Sequence, residues 1–254
     1  MCYILFLNRM IELLHNNFYN KQWKVIQMYF DFTYLLVVAG ALLCTLASSN
    51  GSSTFQKYSR EFSGRGMRAE DVAKHILNRA GIFDVRIERV AGNLTDHYSP
   101  NEKVLRLSDS VYGSTSIAAI GVAAHECGHA IQHQVNYGPL QLRSIAVPVA
   151  NIGSNLYWPV IIIGLLMGFP NIAKLGVFLF MFVVFFQLIT LPVEFNASKR
   201  ALQILRNDNI LVSNELGAAR KVLNAAALTY VASLVSSLLT MLRLILITRR
   251  SDRS

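Results

Sequence analysis

Apolar and polar positions fall in long blocks along this chain, separated by one stretch of mixed pattern. Leu175 to Leu191 (LGVFLFMFVVFFQLITL) carries no charge, is bounded by Lys174 and Glu194, and predicts a transmembrane helix. Ile145 to Phe169 is also uncharged and long enough to cross with some tilt, and its Asn151, Ser154 and Asn155 predict a face turned toward other helices. Phe32 to Ser48 and Ala225 to Thr248 complete a set of four spans, the last interrupted by Arg243, whose long side chain is expected to reach an interface. Between the first two spans, Met67 to Arg79 places Val72, Ile76 and Leu77 at helical spacing and stops at Gly81. Val85 to Val90 and Lys103 to Leu107 alternate like strands on either side of a turn at Ser99 to Glu102. Ser116 to Gln134 is rich in alanine, lacks proline and predicts a further helix. The pattern gives a mainly α, multi-pass membrane protein with about four transmembrane helices and a small α+β portion.

Composition agrees: 53% of the residues are hydrophobic and the mean hydropathy is +0.37, too apolar for an ordinary soluble protein. The formal charge of +9 raises nucleic acid as a partner. Residues 49 to 143, however, hold 11 Lys and Arg against 9 Asp and Glu, with no basic runs interleaved with aromatics. The basic excess is therefore flanking charge for membrane spans, and the partner it implies is a lipid bilayer rather than nucleic acid. Cys2, Cys44 and Cys127 are scattered and imply no disulfide framework. The first 27 residues do not read as a signal peptide, because charge interrupts the apolar stretch and no small-residue cleavage site follows. Met28 is a candidate start of translation, and the alternative is an interfacial helix carrying Tyr19 and Trp23.

Chemistry concentrates in AHECGHAIQH, residues 124 to 133. On a helix, His125 and His129 lie one above the other on one face, the spacing at which two imidazoles share a zinc ion, and Glu126 fits the general base of peptide hydrolysis. Polar residues satisfied inside a bundle are the bland reading, but ionisable groups among alanines and valines are costly to bury without a purpose. Cys127 reads as a packing residue, with a thiolate near zinc as a competing ligand in the other reading.

A hydrolytic zinc site needs a third protein ligand and an open position for water. The metzincin pattern would want glycine and histidine where Gln132 and Val135 stand, so the third ligand lies elsewhere. Glu194, in LPVEFNASKRA at the end of the third span, is the better candidate. Four-span topology supports it, since the segment holding the motif and the end of the third span share one side of the membrane. His97 in LTDHYSP and His133 are candidate outer partners of the site.

The runs LTDHYSPNEKVLRLS, AAHECGHAIQH and QLITLPVEFNASKRA together resemble the bacterial neutral membrane zinc metallopeptidases of the YugP type. The resemblance runs from about Tyr29 to about Ile247 and is shared more distantly with HtpX-like and prenyl-protein proteases. It implies zinc at His125, His129 and Glu194, with Glu126 as general base, in a gluzincin-like or zincin-like catalytic portion. One position departs: Asn196 stands where the family usually has aspartate, and as an acceptor toward a zinc-bound histidine it would be weaker.

The expected function is zinc-dependent hydrolysis of protein or peptide substrates, with His97 or Tyr98 as oxyanion donors. KVLRL, read as an edge strand, would accept an extended peptide by backbone pairing. The competing class is a membrane scaffold or assembly factor whose zinc is structural and whose fourth ligand is Cys127 or His133. A transporter is disfavoured because the motif precedes a span and no inverted repeat is present. Ten Lys and Arg flank the spans on the motif side against six on the other, which places the site on the cytoplasmic side of the cell membrane. On this reading the chain divides into an N-terminal extension (1–27), a first span (28–49), a catalytic domain (50–143), two spans (144–193), a third-ligand segment (194–224) and a last span with basic tail (225–254). Oligomeric state is not encoded in any feature of the sequence.

Overall fold

The structure, a computed structural model, describes residues 32–251; the N-terminal extension and the Met28 start lie outside the described residues. The elements are α1 (Tyr34–Tyr58), α2 (Ala69–Arg79), β1 (Arg86–Val90), β2 (His97–Ser99), β3 (Val104–Ser108), α3 (Ile117–Gln134), α4 (Gly138–Met167), α5 (Pro170–Asn207) and α6 (Ser213–Ser251). The protein is mainly helical, and α1, α4, α5 and α6 are long and apolar enough to cross a membrane. Each of the four continues beyond the uncharged run that betrays it. α5, for example, reaches Asn207, because once apolar residues have started a helix nothing between Leu191 and Asn207 stops it except Pro192, which the helix absorbs.

The chain forms two compact units. The first takes residues up to Ala41, Pro148–Val184 and those from Val235 on. Within it α4 turns into α5 at Gly168, whose φ of 72° is open to glycine at little cost, followed by Pro170. The two helices then lie close: a Cβ on Gly153 would stand 2.6 Å from the Leu179 carbonyl oxygen, an approach that only a glycine permits. Arg243, 4% exposed, sits over the ring of Tyr34, 5.4 Å from its centroid, where the cation meets the aromatic face.

The second unit, Leu42–Val147 with Phe185–Leu234, holds the chemistry. Its centre is α3, which is alanine-rich and therefore slim enough to be surrounded: Ala118, Ala119, Ile120, Ala123, Ala124, Cys127 and Ala130 are all buried. Ser116 caps its N-terminus by accepting from the Ala119 N–H. α2 packs Val72, Ala73, Ile76 and Leu77 into the same core, and Ala201, Leu205, Ala219 and Val222 close it from α5 and α6.

The sheet corrects the sequence reading in two places. β2 is a strand that sequence pattern did not reveal, only three residues long, and the order is β1-β3-β2 with β1 parallel and β2 antiparallel to β3. β3, the KVLRL segment, is therefore the middle strand and not an edge; both its sides are already paired, so no peptide can add to it. Leu105 and Leu107, two apart on one face, go into the core.

Candidate active site

α3 and α5 approach so closely that a Cβ on Gly128 would meet the Ala197 carbonyl oxygen at 2.7 Å. That contact brings His125 and His129 on α3 against Glu194 on α5. The Nε2 atoms of the two histidines are 3.2 Å apart, and Glu194 Oε2 lies 3.3 Å from the first and 3.6 Å from the second. A tetrahedral zinc with bonds of roughly 2.0–2.1 Å keeps its ligand atoms about 3.3–3.4 Å apart, so these three atoms match one face of its coordination shell.

The proton positions agree with a cation at this point. Arg200 Nε, which can only donate, is 2.7 Å from Asn196 Oδ1, and Gln132 Nε2 donates to the same oxygen at 3.0 Å and to the Val193 carbonyl at 2.8 Å. With both its donors committed, Gln132 presents Oε1 to His129 Nδ1 at 3.0 Å and must accept from it. His129 therefore carries its proton on Nδ1 and turns a lone pair on Nε2 toward the cluster. His125 Nδ1 has the hydroxyl of Ser198 at 3.1 Å, a group able to accept its proton and so allow the same orientation. Glu194 is 2% exposed, with Oε1 3.3 Å from Arg143 Nη1, and its Oε2 has no hydrogen-bond partner. Two lone pairs and an orphaned carboxylate oxygen facing one another demand positive charge, and the donor set fits zinc.

Two members of the cluster, His125 and Glu194, border a cavity of about 320 Å³, and His129 lies behind them. Asp96, His125, Glu126, Glu194, Ser198 and Tyr230 supply its polar wall, and Phe55, Val122, Val222 and Leu223 part of its apolar one. Glu126, 8% exposed, adjoins His125 in sequence and turns to the cavity. Cys127 turns the other way, its Sγ 3.6 Å from the Ala73 carbonyl, and burial pushes its thiol pKa far up. His97, Tyr98 and His133 do not line the cavity. His97 Nδ1 is 2.9 Å from the Thr95 carbonyl, and the Tyr98 hydroxyl pairs with His133 Nδ1 at 3.0 Å.

The chain matches, over residues 33–249, a family model described as "Putative neutral zinc metallopeptidase". The chain belongs to this family. Zinc is the family's metal, and the His125, His129 and Glu194 cluster is a site able to hold it. Membership in a peptidase family makes a hydrolase of this chain at the coarse level. A curated relative, "Putative membrane protease YugP" of Bacillus subtilis (strain 168), is 47% identical over 212 residues, covering 84% of this chain and 94% of that protein. With four apolar helices, the likeness supports a membrane location for this metallopeptidase homologue. No solved structure matches the chain.

Several members of the site escaped sequence reasoning. Ser198 lies one helical turn past Glu194 and Gln132 three residues past His129, so helical spacing contained both signals. Asp96 precedes His97, and alternation sends neighbours to opposite sides: Asp96 toward Ser108 and the cavity, His97 toward Arg106. Tyr230 sits in an apolar span with no local signal at all.

Proposed function

We propose that this chain is a membrane-embedded zinc endopeptidase in which His125, His129 and Glu194 hold the metal and Glu126 is the general base. The observation that carries the reading is the triangle of ligand atoms, with edges of 3.2, 3.3 and 3.6 Å, whose His125 and Glu194 corners border a cavity that Glu126 shares. Zinc, when bound, supplies a Lewis acid that polarises the scissile carbonyl and acidifies water. Glu126 takes the proton of the attacking water and passes it to the leaving amine. Gln132 and Ser198 keep the two imidazoles in the tautomer that offers Nε2. Arg143 holds one Glu194 oxygen so that the other faces the histidines. Tyr230, on the cavity wall, offers an O–H to the developing oxyanion, the part first read for His97 or Tyr98. The substrate is an unfolded protein or peptide segment reaching the site at the membrane surface, and the basic flanks of the spans favour the cytoplasmic side.

A structural zinc would need a fourth protein ligand. Cys127 points into the core and His133 Nδ1 is engaged by Tyr98; among the described residues the metal-competent group comprises His125, His129 and Glu194. That geometry favours catalysis over scaffolding.

The test is zinc content and casein cleavage by the detergent-purified protein and Glu126→Gln. Equal zinc in both, with cleavage lowered about 10²–10⁴-fold in the variant, supports the assignment. Zinc in both with equal cleavage removes Glu126 from the mechanism, and a wild type that binds no zinc overturns the reading.

A further inference from the structure

A second concavity, of about 530 Å³, runs along the outer side of α5 and the first turns of α6. Lys199, Gln203 and Arg206 line it from α5 and Arg220 and Asn224 from α6, and no carboxylate borders it. The first three recur at four- and three-residue steps, so one helix face presents them together. Phe195, 49% exposed, is the apolar residue at its end nearest the span, and Leu202 lines it farther along.

Helix rise fixes the depth of this groove relative to the apolar stretches that adjoin it. Lys199 lies eight residues beyond Leu191, about 12 Å along the axis, and Arg220 five residues before Ala225, about 7.5 Å. Headgroups occupy roughly 5–8 Å on each side of the hydrocarbon, and Lys and Arg side chains reach several ångströms back toward it. Lys199 and Arg220 thus reach the level of lipid phosphates, with Phe195 on the hydrocarbon side of Lys199, while Arg206, 15 residues and about 22.5 Å beyond Leu191, marks the outer end of the groove.

We propose that this groove is a binding site for the phosphate of an anionic phospholipid headgroup. Lys199 and Arg220 meet the phosphate charge, Arg206 adds positive charge at the outer end, Gln203 and Asn224 donate to phosphate oxygens or to headgroup hydroxyls, and Phe195 meets the start of an acyl chain. A zwitterionic headgroup, whose own ammonium meets the three cations, fits poorly. The proposal does not depend on the peptidase reading, since none of the residues given to the lipid belongs to the metal cluster, although Ser198, 3.1 Å from His125 Nδ1, also borders the groove.

The experiment is native mass spectrometry of the full-length, delipidated protein in detergent, titrated with dioleoylphosphatidylglycerol, with dioleoylphosphatidylcholine, and with inorganic phosphate. Phosphatidylglycerol is expected to bind in preference to phosphatidylcholine. The triple variant Lys199→Gln, Arg206→Gln, Arg220→Gln is expected to weaken that binding roughly 100-fold, at about fivefold per cation. All three side chains are exposed, so folding is preserved, and a charge-matched variant at Arg65, Arg68 and Lys74 keeps wild-type affinity. Equal binding of the two lipids, or phosphatidylglycerol binding that survives the triple substitution, overturns the proposal. Inorganic phosphate that displaces phosphatidylglycerol at low millimolar concentration assigns the groove to a soluble anion and overturns the lipid assignment.

Discussion

Gln132 Oε1 lies 3.0 Å from His129 Nδ1, and the amide that carries it has no freedom to turn, because both of its N–H groups are committed to Val193 and Asn196. Replacing Gln132 with leucine leaves Nδ1 without its acceptor, and zinc affinity is expected to fall about 10–100-fold in competition with a chelator. Asn196→Asp keeps the acceptor for Gln132 and adds a charge toward Arg200, so affinity should hold or rise; a clear fall would contradict the relay.

Gly128→Ala places a methyl group 2.7 Å from the Ala197 carbonyl oxygen, a backbone atom that cannot swing aside. The helices must separate, at a cost of about 1–3 kcal/mol in stability. Since the ligands divide between the same two helices, zinc affinity should drop together with the melting temperature. A variant that melts lower but binds zinc as tightly as wild type would show that the helix spacing does not set the site.

Burial pushes the Asp96 carboxyl above the ordinary aspartate range against the two hydrogen bonds from Ser108, and the charge of Glu126 adds to the rise. A carboxyl raised on folding contributes stability below its unfolded pKa, and that contribution is lost as pH climbs through the folded value. The stability of wild type relative to Asp96→Asn, neutral throughout, should therefore fall as pH rises from about 4, the ordinary aspartate value, leaving the variant at least as stable near neutrality. Melting temperatures across that range decide it; parallel curves would refute the role given to Asp96.

Cys127 is fully enclosed and its thiol pKa is pushed upward by burial and by Glu126, so it should resist maleimide in the folded protein and react at once in denaturant. Rapid labelling without denaturant would mean that α3 opens far more readily than its packing suggests.

What the sequence disclosed depended on how local the determinant is. The four spans were legible because an uncharged run has one stable use in water or lipid, and the two histidines because four residues is one turn. The nearness of Glu194 to the two histidines was foreshadowed by counting crossings, a long-range inference that needed all three spans up to it. β2 was hidden because three residues bounded by Asp96 and Pro100 carry no period, and the central place of β3 because pairing order is decided by the rest of the fold. Arg143 matters through where α4 and α5 bring it against Glu194, which no spacing within one segment announces.

α5 is a single helix from Pro170 to Asn207, so the angular phase of Glu194 is geared to the greasy rod ahead of it. Inserting one residue between Leu191 and Glu194 would turn the carboxylate by about 100° and raise it about 1.5 Å, out of line with both histidines. Drift in the length of that stretch is thereby coupled to loss of the metal, and only changes that restore the phase leave the ligand in place.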